Sequence, residues 1–149
     1  MMTISLARAD DVEVVVALLR AQLLEHEIDT PTELLHAVVS TVLSDANHGF
    51  IFLASDRGET VGVSYAASHL SAEHGGIIGW LEELYVRPEW RSRGVGSALL
   101  EATIARAQEL RWRGLELEVV AGHERAAALY LRHGFEPLRR TRYTRLFRT

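Results

Sequence analysis

The chain has 149 residues, a formal net charge of −4 and no cysteine. That length suits one domain burying about 70% of the surface its unfolded chain would expose, and the missing cysteine excludes disulfides, thiolate zinc sites and a cysteine nucleophile. All 16 basic side chains are arginine, as a biased genome or a chain that must offer no lysine amine to an acylating agent would show. Five of them, Arg139, Arg140, Arg142, Arg145 and Arg148, follow the last acid, so residues 1–136 carry 11 basic against 20 acidic side chains, a net −9. A body this acidic lacks the broad basic face of a nucleic-acid binder, so nucleic acid is not an expected partner.

In chain order, "TISLAR" (3–8) reads as a strand, and Asp10 and Asp11 cap a helix with apolar positions 12, 15, 16, 19 and 23. Acids at Asp10, Asp11 and Glu13 break the pattern of a signal peptide, and no run approaches the ~18 apolar residues of a membrane span. A soluble, cytoplasmic protein with no membrane partner is expected. Thr30 and Pro31 open a second helix to about Asp45, with Thr30 as cap and proline in the first turn. "GFIFLASD" and "ETVGVSYAASHL" form a hairpin around Arg57-Gly58, and "GIIGWLEELYV" (76–86) is a further strand. A helix from about Gly94 to Leu110 presents apolar positions 95, 98, 99, 102 and 105; "GLELEVV" (114–120) alternates as a strand; 124–133 is a short helix; "FEPLRRTRYTRLF" supplies one or two last strands. No repeat or linker divides the chain. The order β-α-α-β-β-β-α-β-α-β(-β) predicts a single mixed-sheet α/β domain over 1–149.

Between the 76–86 strand and the helix that follows lies "RPEWRSRGVG" (87–96), with three arginines and two glycines. Backbone N–H groups at a helix start lack intrahelical partners and sit at the positive end of the helix dipole, which suits a phosphate or pyrophosphate. Arg91 and Arg93 are able to add charge-assisted hydrogen bonds. A P-loop would need a lysine, which the chain lacks, and a dinucleotide fingerprint would need glycine where Leu99 stands. The stretch resembles the acetyl-CoA signature of the GNAT superfamily of N-acetyltransferases, Arg/Gln-x-x-Gly-x-Gly/Ala, met by Arg91, Gly94 and Gly96. "HERAAALYLRHGFE" resembles that family's next motif, with Ala126, Leu129, Tyr130, Gly134 and Phe135 in register and His123 where asparagine is usual. The resemblance is close over roughly residues 76–138.

The resemblance implies that strands at 80–86 and 115–120 splay apart, with the pantetheine arm of acetyl-CoA, the co-substrate, against the backbone of Leu84, Tyr85 and Val86. It implies that the amides of Arg91, Ser92, Arg93, Gly94, Val95 and Gly96 hold the pyrophosphate, with His123, Ala126 and Tyr130 also near the cofactor. Acetyl then passes directly to a primary amine in a ternary complex. An alkyl amine of pKa ~10 is protonated at pH 7, and freeing its lone pair costs about 4 kcal/mol unless a base accepts the proton. By motif register the candidate bases are Glu82, Glu83 and Glu118. Strand alternation points Glu82 and Glu83 to opposite faces unless a bulge re-aims them. Tyr130 shares a helix face with Ala126, Leu129 and His133, as a core tyrosine would; the family's tyrosine here reprotonates the coenzyme sulfur. A backbone N–H near Leu84 or Tyr85 would meet the oxyanion.

"LLEHEIDTPTE" gathers Glu25, Glu27, Asp29 and Glu33, which with Glu82 and Glu83 favours a small cationic amine as acceptor. A peptide N-terminus and a non-catalytic acetyl-CoA-binding module are the alternatives. His69, His74 and His123 lack cysteine or carboxylate partners at ligand spacing, so no metal is expected. The alternating arginines of the tail suit a charged edge strand or a homodimer contact.

Overall fold

A computed structural model describes residues 1–148. The chain forms two compact units, Met1–Glu118 and the residues from Val119 on. The first contains β1 (Met2–Leu6), α1 (Val12–Glu25), α2 (Thr32–Ser44), β2 (Gly49–Asp56), β3 (Glu59–Ser71), β4 (Gly76–Val86), α3 (Val95–Glu109) and β5 (Gly114–Glu116); the second contains α4 (Glu124–Arg132). The sheet runs in the order β1-β2-β3-β4-β5, antiparallel except for the parallel β4–β5 pair. This is the mixed α/β architecture expected. Among the described residues no helix is long and apolar enough to cross a membrane.

Strand alternation gives the sheet two apolar faces. Ile51, Leu53, Val63 and Tyr85 pack with Val15, Leu18, Leu19, Leu35 and Val39 of α1 and α2. Their sequence neighbours Phe52, Ala54 and Leu84 join Val95 and Leu99 of α3 in a second cluster. The β2–β3 turn is built at Arg57 and Gly58, both at positive φ (53° and 82°), as a two-residue hairpin requires for its twist to match the strands.

Four local expectations are corrected. Thr30 does not cap α2: Pro31 occupies the cap position, with no side-chain cap, and its carbonyl accepts from Leu34 and Leu35. The buried stripe of α3 is Val95, Leu99, Leu100, Thr103 and Ala107, and Ala105 is exposed. Thr103 is tolerated there because its hydroxyl donates to the Leu99 carbonyl and meets the Ser64 hydroxyl, both at 2.8 Å. β5 stops at Glu116 instead of 120. The 135–147 segment forms no strand: Tyr143, Leu146 and Phe147 are 78–90% exposed, and an alternating pattern holds a strand only when a ladder partner and a buried face are supplied.

Candidate active site

β4 is where the chemistry-bearing residues collect. It pairs with β5 only from Ile78–Gly114 to Trp80–Glu116, so Leu81–Val86 runs on beside β3 while β5 falls away. Just past the last shared pair, the β3–β4 register slips: Ala66 faces Leu81 and Tyr65 faces Glu83, which leaves Glu82 as the extra residue of a bulge. A bulge bends its strand and re-aims side chains. Glu82 is exposed while Glu83 is half-buried on the α1 face, opposite Tyr65.

The Glu83 carboxyl accepts a 2.7 Å hydrogen bond from Gln22 Nε2 of α1. Burial pushes its pKa from 4.5 up to about 7; the Gln22 bond opposes the rise and the Glu82 charge adds to it. Burial, followed by the charges of Glu82 and Glu83, also raises the Tyr65 phenol. Gln22, Tyr65, Glu82 and Glu83 thus form one electrostatic unit, with a carboxyl that is about half ionised near pH 7. Sequence reasoning missed Gln22 and Tyr65. Gln22 left a signal, being a polar residue at i+3 and i+4 from the buried Leu19 and Leu18. Tyr65 left none, because its partner depends on the bulge.

The loop after β4 is tied down by its arginines. Arg87 donates from its backbone N to Val61 O (2.9 Å) and from Nε to Thr60 O (3.0 Å). Arg91 donates from Nε to Val86 O and from Nη2 to both carboxylate oxygens of Glu25, each at 2.9 Å. Burial, followed by the nearby Glu25 carboxylate, raises the Tyr85 phenol, and the Arg91 guanidinium lies 5.5 Å from the Tyr85 ring centroid. Arg93 stacks on Trp90 at 5.0 Å. Ser92 and Gly94 take positive φ (64° and 82°), and Gly94 then serves as the cap of α3, with no side chain closing its N-terminus. A Cβ at Gly94 would meet nothing within 4 Å, so the chain is uncrowded at the start of α3, where the first-turn amides lack intrahelical partners. The Val95 side chain is turned into the core. Backbone donors, a helix dipole and a flanking guanidinium fit the pyrophosphate of coenzyme A.

The other predicted residues come after β5 in the chain. Glu118 is exposed, two residues beyond β5. In the second unit, His123 is the cap residue of α4, Ala126 is half-buried, and Tyr130 packs edge-on against Phe135 with 5.7 Å between ring centroids. The acidic 25–33 segment is not an open anionic wall: Glu25 is held by Arg91, and Asp29 pairs with Arg20 at 3.1 Å, while Glu27 and Glu33 face solvent. Among the described residues no three His, Asp or Glu side chains group as a metal site.

A family model described as an acetyltransferase (GNAT) domain matches residues 47–137. Among curated proteins, an aminoglycoside N(6′)-acetyltransferase type 1 of Stenotrophomonas maltophilia is 35% identical over 108 residues, 70% of this chain and 70% of that protein. The solved structure of aminoglycoside N-acetyltransferase AAC(6′)-Iy in complex with CoA matches with a TM-score of 0.84 at 21% identity, covering 98% of this chain and 95% of that one. A predicted acetyltransferase of Clostridium acetobutylicum, solved with acetyl-CoA, matches with a TM-score of 0.82 at 18% identity, covering 97% and 96%. At those identities the two structures share the fold.

Proposed function

We infer the reaction from one premise: the chain belongs to the GNAT acetyltransferase family, and is an N-acetyltransferase with acetyl-CoA as co-substrate. Its acceptor is a primary amine of a small molecule, acetylated directly in a ternary complex, and Glu83 is the base. The half-buried Glu83 carboxyl, raised to about 7 and held by Gln22, carries this reading. Against an ordinary carboxylate of 4.5, a base of 7 accepts the ammonium proton more readily by about 3 kcal/mol, and near pH 7 half of it is still ionised. The S. maltophilia relative, named for an aminoglycoside amine, supports a small-molecule acceptor.

Glu83 takes one ammonium proton, the amine nitrogen attacks the thioester carbonyl, the carbon–sulfur bond breaks and the departing thiolate takes a proton from the Tyr130 hydroxyl, while the second nitrogen proton, released as the amide forms, returns through water to the Tyr130 oxygen. Charge on the carbonyl oxygen is met by a backbone N–H of Leu84 or Tyr85. Glu82, exposed on the bulge, supplies a second negative charge for the incoming ammonium. Arg91, Ser92, Arg93, Gly94, Val95 and Gly96 form the pyrophosphate loop, with Arg91 acting through its Glu25 pair to keep the loop in shape.

The test is the pH dependence of kcat/KM for an alkyl amine. The acidic limb should bend near pH 7, and Glu83→Gln should remove that bend and lower kcat/KM by about 10²–10⁴-fold. A Glu118→Gln variant should keep it. If Glu118→Gln abolishes activity while Glu83→Gln leaves the profile in place, the acceptor is a peptide N-terminus and this reading is wrong.

A further inference from the structure

α2 and β3 leave a groove of about 370 Å³ between them. One wall is the helix face of Ala37, Val38, Thr41 and Val42, and the other is Tyr65, Ala67 and Ser68 of β3, with His48 also lining it. Two of its hydroxyls are already used by backbone: Thr41 Oγ1 donates to Ala37 O at 2.8 Å, and Ser68 Oγ donates to Asn47 O. Methyl and methylene groups therefore dominate the surface offered to a ligand. Val38 is 49% exposed, and Leu34, one helical turn before it, is 57% exposed, so the apolar character continues along the helix. Such a volume is at the small end of ligand pockets.

Tyr65 belongs both to this groove and to the acidic unit. It faces Glu83 across the β3–β4 ladder, and its phenol feels both Glu82 and Glu83. The groove thus offers mainly apolar surface, with His48 and Tyr65 as its other polar side chains, and is anionic beside the Tyr65 wall. Of the 25–33 acids, Glu25 and Asp29 are held by Arg91 and Arg20, Glu27 and Glu33 face solvent, and none of the four lines the groove.

We propose that this groove holds the non-reacting body of the acceptor, which is a monoamine: one ammonium placed at Glu83 and Glu82, carried on a compact apolar group that lies against Ala37, Val38 and Ala67. The proposal rests on Glu83 as the amine-facing group. It goes beyond that by excluding acceptors with several spaced ammoniums, whose further charges would meet methyl groups with no partner and lose their hydration.

The probes are 2-phenylethylamine, ethylamine and spermidine, with acetyl-CoA and free-thiol detection, together with calorimetric titration of 2-phenylethylamine into the CoA-saturated protein. Ala37→Phe places a ring in the groove from an exposed helix position, and an unchanged circular dichroism spectrum checks its folding. The unmodified enzyme should prefer 2-phenylethylamine to both other amines in kcat/KM. Ala37→Phe should cut the phenylethylamine-to-ethylamine ratio of kcat/KM at least tenfold and weaken the calorimetric Kd by a similar factor. A ratio and Kd that Ala37→Phe does not move, or a preference for spermidine, overturns the groove assignment whether or not Glu83 is the base. Failure of the Glu83 reading shows differently, as an unchanged pH profile in Glu83→Gln with all three amines.

Discussion

Glu83 is held in the folded protein with a pKa near 7 against 4.5 for an ordinary glutamate, chiefly because α1 and β3 take it partly out of water. The native state therefore binds more protons than the unfolded chain between about pH 4.5 and 7, so this group's stabilising contribution is present below pH 4.5 and is lost as pH rises through 7. Glutamine keeps the shape and the acceptor for Gln22 but never ionises. Glu83→Gln should thus match the parent in stability near pH 4 and exceed it at pH 8 by on the order of 2–3 kcal/mol. Urea denaturation of both proteins across that range checks it. A gain at pH 8 together with the activity loss described above is the signature of a carboxylate held at a cost to the fold for the sake of chemistry. Tyr130→Phe keeps the ring against Phe135 and removes the hydroxyl, so turnover should fall by ~10²–10⁴-fold while coenzyme affinity holds. Single-turnover kinetics, which isolate the chemical step, decide this.

At the scale of elements, the junction of β4 and β5 shapes the site, and it depends on Gly79. This residue faces Leu115 across the ladder, and a Cβ there would come within 2.5 Å of the Leu115 and Trp112 side chains. Trp112 in turn packs on Phe50, with ring centroids 5.1 Å apart, so it has little freedom to retreat. Gly79→Ala should destabilise the protein by roughly 1–3 kcal/mol through overpacking, a fall of several degrees in Tm. Because the strands pair for only three residues, the same change should weaken acetyl-CoA binding as well, measured by calorimetry. The bulge at Glu82 belongs to this junction: it lies two residues beyond Trp80, where β4 leaves β5, and it places a carboxylate pair beside Tyr65.

For the whole molecule, acetyl-CoA is a ligand of the native state alone. At a hundred times its dissociation constant it should stabilise the protein by about 2.7 kcal/mol, read as a raised Tm. Gly94→Val should abolish that shift. The space above Gly94 is open, but its φ of 82° is one that a β-branched residue rarely adopts, so the loop must change shape to accept valine and its amides lose their common aim. The variant should remain folded, since Gly94 caps α3 from outside the core.

Much of this was readable from the chain alone, because it is local. The span of β4, the Arg57-Gly58 turn, the glycine-capped start of α3 and α4 follow from periodicity and turn chemistry over a few residues, and the two motifs around Arg91 and Tyr130 named the family. What depended on tertiary structure is what depends on distant partners. Strand alternation put Glu82 and Glu83 on opposite faces, and only the β3–β4 register shift broke that alternation. Composition grouped Glu25 and Asp29 as free acids, yet Arg91, 66 residues away from Glu25, and Arg20 neutralise them. The alternating tail looked like a strand, but a strand needs an edge to pair with, and periodicity says nothing about whether one is offered. Glu83 rose to about 7 through burial under α1, a property of its surroundings that no spacing of residues along the chain encodes.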